Sequence, residues 1–312
     1  MRTGLISHPE CLDHLSPRGH PESAARLRAV LSAFERPSFQ NLVRIDAPCA
    51  TKGDLVRAHD AEYVDIIMGP VAAAASKGGI QIDADTAMSP GSLDAALRAA
   101  GSVIAAVDEV HAGRLRNAFC AVRPPGHHAE RARAMGFCLF NNVAIGALHA
   151  REVHGYRRIA IVDFDVHHGN GTQDIFWSDT DTLYVSSHQA PFYPGTGQSS
   201  ERGIADNVLN VPLRAGSGSR EFRAAYENLV FPILQRFVPD FIFISAGFDA
   251  HRDDPLAELD LVESDFSWVT QILCKIAQAG CGARVVSVLE GGYDLEALAR
   301  SAAAHVVALM EA

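Results

Sequence analysis

The chain has 312 residues, 48% of them apolar and 21% charged, with 25 glycines and 15 prolines, a composition that excludes disordered, collagen-like and low-complexity classes. Acidic residues outnumber basic ones 37 to 27, for a formal net charge of -10. That balance repels polyphosphate, so no direct nucleic-acid binding is expected.

From the N-terminus, the sequence predicts a strand over Thr3 to Ser7, then helices over Pro21 to Phe34, Asp54 to Met68 and Gly91 to His111. A strand over Ala118 to Val122 and a helix over Asn142 to Val153 precede strands over Arg158 to Val166, Thr182 to His188 and Val208 to Leu213. A helix over Ser219 to Phe237, a strand over Phe241 to Gly247, a helix over Ser264 to Ala279, a strand over Arg284 to Glu290 and a helix over Leu295 to Met310 complete the order. Short apolar runs alternating with helical periods are the pattern of an α/β protein whose sheet is covered on both faces. No internal repeat and no Pro/Ser linker divides the chain, so a single domain over residues 1–312 is expected.

The six cysteines, Cys11, Cys49, Cys120, Cys138, Cys274 and Cys281, form no C-x-x-C pair and read as reduced thiols of a cytoplasmic protein. The opening MRTGLISHPECLDH lacks the apolar core of a signal peptide, and no run approaches the ~20 apolar residues of a membrane span. A soluble, non-exported protein is expected, with nothing to specify an oligomer.

Unusual chemistry collects where strands end, the place where open α/β sheets bind ligands. The four stretches are Arg123-Pro-Pro-Gly-His-His128, Asp163-Phe-Asp-Val-His-His-Gly-Asn170, Ser245-Ala-Gly-Phe-Asp-Ala-His251 and Leu289-Glu-Gly-Gly-Tyr293. On a strand running to Val166, alternation would place Asp163, Asp165 and His167 on one side. Two carboxylates on a buried strand carry a large desolvation penalty that a divalent cation relieves, and Asp249 offers a third ligand. One Asp at a strand end is more often a cap for loop amides; the Asp165, His167, Asp249 combination is what favours metal. Zinc is the expected ion, and these donors also accept Fe²⁺ or Co²⁺.

His127 and His128 follow the rigid Pro124-Pro125-Gly126 turn. Adjacent histidines in a loop are commonly only solvated, but beside a metal they supply the base and acid that amide hydrolysis needs. Tyr293 follows Gly291-Gly292; its hydroxyl is a candidate donor to an oxyanion, or else simply a packed turn residue.

These residues resemble the zinc-dependent histone deacetylase family, in its class II-like and bacterial amidohydrolase form. The matching stretches are VRPPGHHAE, MGFCLFNNVAIGA, IVDFDVHHGNGTQDIFW, YVSSH, FYPGTG, ISAGFDAHRDDPL and LEGGYD, with GHPESAARL and DADTAMSP upstream. The resemblance implies an arginase-deacetylase α/β fold with a mainly parallel eight-stranded sheet flanked by helices on both faces. It implies zinc on Asp165, His167 and Asp249, proton transfer by His128, electrostatic support from His127 bonded to Asp163, and carbonyl polarisation by Tyr293. Asn170 stands where class I relatives carry a second relay carboxylate, and a neutral amide raises the proton affinity of His128 less than an aspartate would.

The same resemblance places an acyl-lysine tunnel between Phe137 and Tyr193, beside Gly136 and Gly291. Most relatives carry Phe where Tyr193 stands. Asp85, in preference to Asp83, would accept a hydrogen bond from substrate backbone at the rim. Leu256 falls where polyamine-specific relatives place a glutamate gatekeeper, which favours an acyl-lysine substrate over acetylpolyamine. Potassium is implied at Asp163, Asp165, His167, Ser186 and Ser187, and a second ion at Phe176, Asp179, Thr182 and Asn207. FDAHRDDP also looks like part of a binuclear manganese ureohydrolase, but Asn170 stands where such a site needs a carboxylate. Other readings are a deacetylase of small acetylated amines and a non-catalytic module that binds an acylated ligand.

Overall fold

The computed structural model describes residues 2–312 and contains one eight-stranded sheet beside a two-stranded ribbon. The strands are β1 (Arg2–Ser7), β2 (Val43–Asp46), the ribbon pair β3 (Ile80–Gln81) and β4 (Ala87–Met88), β5 (Leu115–Cys120), β6 (Ile159–Asp163), β7 (Thr182–Gln189), β8 (Val208–Leu213), β9 (Phe241–Ala246) and β10 (Val285–Leu289). The large sheet runs β2-β1-β5-β10-β9-β6-β7-β8. Every pairing in it is parallel. The expected mainly parallel sheet is thus wholly parallel, and FIFISA of β9 and VVSVL of β10 are buried throughout, as strands covered on both faces must be.

Eleven α-helices accompany it: α1 (Ala24–Ala33), α2 (Lys52–Leu55), α3 (Ala61–Ile66), α4 (Ala72–Ala75), α5 (Ser92–His111), α6 (Asn142–His154), α7 (Asn170–Phe176), α8 (Ser219–Ala225), α9 (Phe231–Phe237), α10 (Glu263–Gly280) and α11 (Leu295–Glu311). On one face α5 packs on α6; on the other α1 and α10 pack on α11. Alternation along β5 shows the division. Asn117 Nδ2 donates to the Leu309 carbonyl of α11 at 2.8 Å, and the Phe119 ring meets His305 of the same helix. The intervening residue, Ala118, turns the opposite way.

Several expectations about elements need correction. The helix expected over Ser219 to Phe237 is divided into α8 and α9 by a π-turn at Tyr226–Val230. The short edge strand β2 was not foreseen, because its four residues VRID are half exposed and half intermediate and carry no buried run. The helix expected over Asp54 to Met68 is divided into α2 and α3, followed by a π-turn at Ile67–Val71 that contains Pro70. The strand expected to reach Val166 ends at Asp163. There the backbone leaves the ladder because side-chain carboxylates take its N–H groups: Asp165 N donates to Asp163 Oδ1 at 3.1 Å, Val166 N to Asp249 Oδ1 at 2.9 Å and His167 N to Asp165 Oδ1 at 2.9 Å.

The strand order brings the chemistry together. β5, β10, β9 and β6 are consecutive neighbours, so the loops after their carboxyl ends, carrying His127 and His128, Tyr293, Asp249, and Asp165 with His167, open on one edge of the sheet.

Candidate active site

Asp165, His167 and Asp249 converge, each offering a donor atom within 4.8 Å of the others. They do so from a loop rather than from the strand face expected for Asp163, Asp165 and His167. His167 Nδ1 lies 3.1 Å from Asp165 Oδ1 and 3.2 Å from Asp249 Oδ2. One ring N–H can satisfy one oxygen, and the bond goes to Asp165. Asp249 Oδ2 is left buried with no hydrogen-bond donor, an arrangement that costs stability unless something else neutralises it.

The protonation pattern has the same cause. Burial and the neighbouring Asp165 charge push the Asp249 carboxyl up. Burial opposes a charge on His167, yet the Asp165 carboxylate it bonds and the Asp249 carboxylate 3.2 Å away push it up to about 10, so a proton on the ring serves as the cation between two carboxylates. A divalent ion does the same more completely, and two carboxylates with one imidazole, leaving a position open, are a donor set that fits a zinc-type ion. Gly291 makes room for this group: its N–H donates to Asp165 Oδ2 at 2.8 Å, and any Cβ there would run into both carboxylates.

The two histidines stand beside this centre with their rings 4.0 Å apart. His127 Nδ1 is 3.0 Å from Asp163 Oδ2, which also accepts from the Tyr184 hydroxyl at 3.0 Å. His128 Nδ1 is 2.7 Å from Asn170 Oδ1. Burial disfavours charge on both rings; Asp165 and Asp163 nevertheless hold His127 well above the usual imidazole range. His128 faces His127 and His167 and is held well below it. One ring is poised as a cation and the other as a neutral base.

Tyr293 faces the same centre. Burial raises its phenol, Arg26 lowers it, and the Asp249 and Asp165 charges add to the rise, for a net position well above the ordinary value. It remains a hydrogen-bond donor. Its backbone N–H donates to Asp254 Oδ2 at 2.7 Å, and the Arg26 guanidinium lies 4.8 Å from its ring centroid.

Phe137 and Tyr193 both reach the site: the Phe137 ring is 6.1 Å from Tyr293, and the Tyr193 ring is 5.2 Å from His128. Gly136 and Phe137 both have left-handed φ, at 56° and 68°, and side-chain bonds hold this turn: Gly136 N donates to Asp85 Oδ1 at 3.2 Å and Phe137 N to Thr86 Oγ1 at 3.1 Å. Asp85 therefore already holds the wall of the cleft with one oxygen. Leu256 is fixed by its N–H to Asp254 Oδ1 at 3.0 Å.

Asp163 and Ser186 are register partners on β6 and β7, which gathers the first proposed potassium position. Among the described residues, the carbonyls of Asp165 and His167 accept no hydrogen bond, although both residues are buried; free buried carbonyls suit an alkali cation. At the second position, Asn207 Nδ2 donates to the Phe176 and Thr182 carbonyls at 2.9 and 3.1 Å. Phe176 O also accepts from Asp179 N, and the Asp179 side chain pairs with Arg151. Asn207 Oδ1 is itself buried with no hydrogen-bond donor, so the four residues of the second expected position do lie together around an unsatisfied oxygen.

Several supporting residues were not singled out from the sequence. Glu290 Oε2 accepts from Gly126 N at 2.7 Å and His127 N at 3.1 Å, and burial pushes its carboxyl up to about 7. Buried Glu22 pairs with Arg123 and Arg26. Phe192 stacks on His167 at 5.3 Å. Glu22 and Glu290 lie inside GHPESAARL and LEGGYD, so their motifs were visible while their partners, far away in sequence, were not.

A model of the histone deacetylase domain matches residues 20–309. The type-2 histone deacetylase 2 of Dictyostelium discoideum is 39% identical over 99% of the chain, which spans 21% of that longer protein. A histone deacetylase-like amidohydrolase of Pseudomonas aeruginosa is 40% identical, covering 93% of the chain and 75% of the relative. Among solved structures, the HD domain of HDA15 superposes with a TM-score of 0.92 at 38% identity, covering 99% of this chain and 88% of that one.

Proposed function

The chain belongs to the histone deacetylase family and is a hydrolase of amides, and from that premise we propose that it removes acetyl or related acyl groups from the ε-amine of lysine or a lysine-like amine. The observation that carries this reading is the buried, donorless Asp249 Oδ2 beside His167 Nδ1, next to a histidine pair with opposite protonation preferences.

Asp165, His167 and Asp249 would hold zinc, with Fe²⁺ or Co²⁺ as substitutes, and such a cation supplies Lewis acidity to the acyl carbonyl and the attacking water. His128 acts through Nε2, the nitrogen not engaged by Asn170, taking a proton from the water and delivering it to the departing amine. His127, held by Asp163, stabilises the negative charge that develops. The Tyr293 hydroxyl donates to the carbonyl oxygen as it becomes an oxyanion. Phe137 and Tyr193 would flank the methylene stem of the substrate, whose apolar length suits aromatic walls. Gly136 and Gly291 keep that passage open, Asp85 would meet substrate backbone with its remaining oxygen, and Leu256 presents no charge to a distal amine. A potassium ion at Asp163, Asp165, His167, Ser186 and Ser187 would brace the metal loop.

No helix among the described residues is long and apolar enough to cross a membrane. The six free thiols suit a cytoplasmic location within this reading, and the net charge of -10 suits no direct nucleic-acid contact. The test is acetate release from N-acetyl-lysine peptides and N-acetylputrescine by zinc-reconstituted protein. Chelator-sensitive turnover with preference for the peptide supports the reading; preference for acetylputrescine overturns the substrate assignment, and no turnover on any acyl amide overturns the reaction.

A further inference from the structure

A second cluster of metal-ligating side chains lies at the opposite end of the sheet. Asp108 is in the last turns of α5, and His149 and His154 are near and at the end of α6. The Nε2 atoms of both histidines meet one oxygen: His149 Nε2 is 2.7 Å and His154 Nε2 2.6 Å from Asp108 Oδ1. The three donor atoms lie within 4.8 Å of one another. His111, the last residue of α5, stacks on His154 with ring centroids 4.0 Å apart and has its Nδ1 3.0 Å from the Tyr156 hydroxyl, so two imidazoles meet the carboxylate and a third ring backs one of them.

We propose that Asp108, His149 and His154 bind a divalent cation of the zinc type, with water in the fourth position. The donors of a tetrahedral zinc site stand about 2.0–2.2 Å from the ion, so the two rings need open by only a fraction of an ångström for one cation to replace the two shared protons. Two imidazoles with one carboxylate select a borderline metal over calcium or magnesium.

Independent electrostatics favour a cation at this place. α5 and α6, of 20 and 13 residues, both end here, and helix C-termini carry a partial negative charge with unfilled carbonyls.

The consequence is structural. α5 leads into β5 and α6 into β6, the strands whose far ends carry His127 and His128, and Asp165 and His167. An ion joining the two helix ends staples the layer behind the catalytic edge without entering it.

The experiment uses full-length protein carrying one equivalent of zinc, titrated with further zinc or Co²⁺ at micromolar free metal, with content read by elemental analysis and stability by thermal melting. Expected are two equivalents per wild-type chain, a rise in Tm with the second, and tetrahedral Co²⁺ absorption bands. Asp108→Asn and His154→Gln should each weaken the second equivalent roughly tenfold or more, remove the rise in Tm and leave acetate release at one equivalent unchanged. A wild-type chain that stops at one equivalent overturns the proposal, as does a second equivalent that persists in both variants.

Discussion

His128 Nδ1 lies 2.7 Å from Asn170 Oδ1, an oxygen that can accept a hydrogen bond but not donate one. Asn170 is itself oriented by Nδ2 donating to Glu130 Oε1 at 2.8 Å. The ring proton is thereby fixed on Nδ1, and Nε2 keeps its lone pair. Since burial and the neighbouring histidines already hold His128 low, it is neutral across the physiological range. Asn170→Asp adds a negative charge beside the ring and raises its proton affinity, so the acid limb of the kcat/KM profile should move to higher pH. His128→Ala should lose about 10²- to 10⁴-fold in kcat; near-normal turnover would refute the role.

Removing Asp249 separates metal binding from folding. Asp249→Asn keeps an oxygen for the Val166 N–H, now bonded at 2.9 Å, but deletes one of two buried like charges. Catalytic-site zinc and activity should fall by roughly 10²-fold or more. The metal-free variant should melt no lower than metal-free wild type, because the burial penalty and the Asp165 repulsion that raise the Asp249 carboxyl are gone. A large drop in the metal-free melting temperature would contradict this account.

Arg26 connects the buried Glu22 network to the tyrosine loop. Its Nε donates to Gly292 O at 2.6 Å and Nη2 to Glu290 O at 2.5 Å, while Nη1 bonds Glu22. Arg26→Met breaks a buried ion pair and frees two carbonyls, a change that costs about 3–5 kcal/mol. Arg26→Lys cannot reproduce the fork and recovers part of this. Thermal melts should fall by several degrees, and kcat should fall more than KM rises because Tyr293 loses its support. Melts indistinguishable from wild type would show that the network is dispensable.

How much of this was readable in the sequence varies with the range of the interaction. The parallel sheet and the convergence of Asp165, His167 and Asp249 were legible, because buried runs such as FIFIS and charged strand ends such as DFDVHH are local signals. The reach of β6 was misjudged because apolarity continues through Phe164 and Val166, whereas carboxylates take over the backbone N–H groups after Asp163. Glu22 and Arg123, 101 positions apart, meet only through the fold. The π-turn at Tyr226–Val230, between α8 and α9, leaves no periodicity break strong enough to read.

The buried His305 predicts an acid-labile core. It sits between Thr270 Oγ1 at 2.6 Å and Ser287 Oγ at 2.8 Å, and burial lowers it to about 3. The unfolded ring titrates near 6.5, so between these values the unfolded chain binds more protons than the folded one, and stability falls as pH drops. Each such group contributes at most about 1.4 kcal/mol per pH unit; His59, lowered by burial to about 4, adds to the same window. His305→Gln should reduce the slope of unfolding free energy against pH by up to one proton between about pH 4 and 6. Denaturant melts across that range check it, and an unchanged slope would mean that the ring charges without cost.

Substrate choice can be tested at Leu256. Its N–H and that of Tyr293 are held by the two oxygens of one carboxylate, Asp254, at 3.0 and 2.7 Å. Burial and the Asp249 charge raise that carboxyl to about 7, yet its position ties the residue at 256 to the loop carrying the proposed oxyanion donor. Leu256→Glu therefore brings a negative charge close to the cleft, where it attracts an ammonium at the far end of a short diamine and does little for a neutral peptide. The ratio of kcat/KM for N-acetylputrescine over an N-acetyl-lysine peptide should rise roughly tenfold, the effect of about 1.4 kcal/mol in a partly screened site. The gain should shrink as salt is raised. A ratio that stays fixed, or a gain indifferent to ionic strength, would place Leu256 away from the path of the substrate amine.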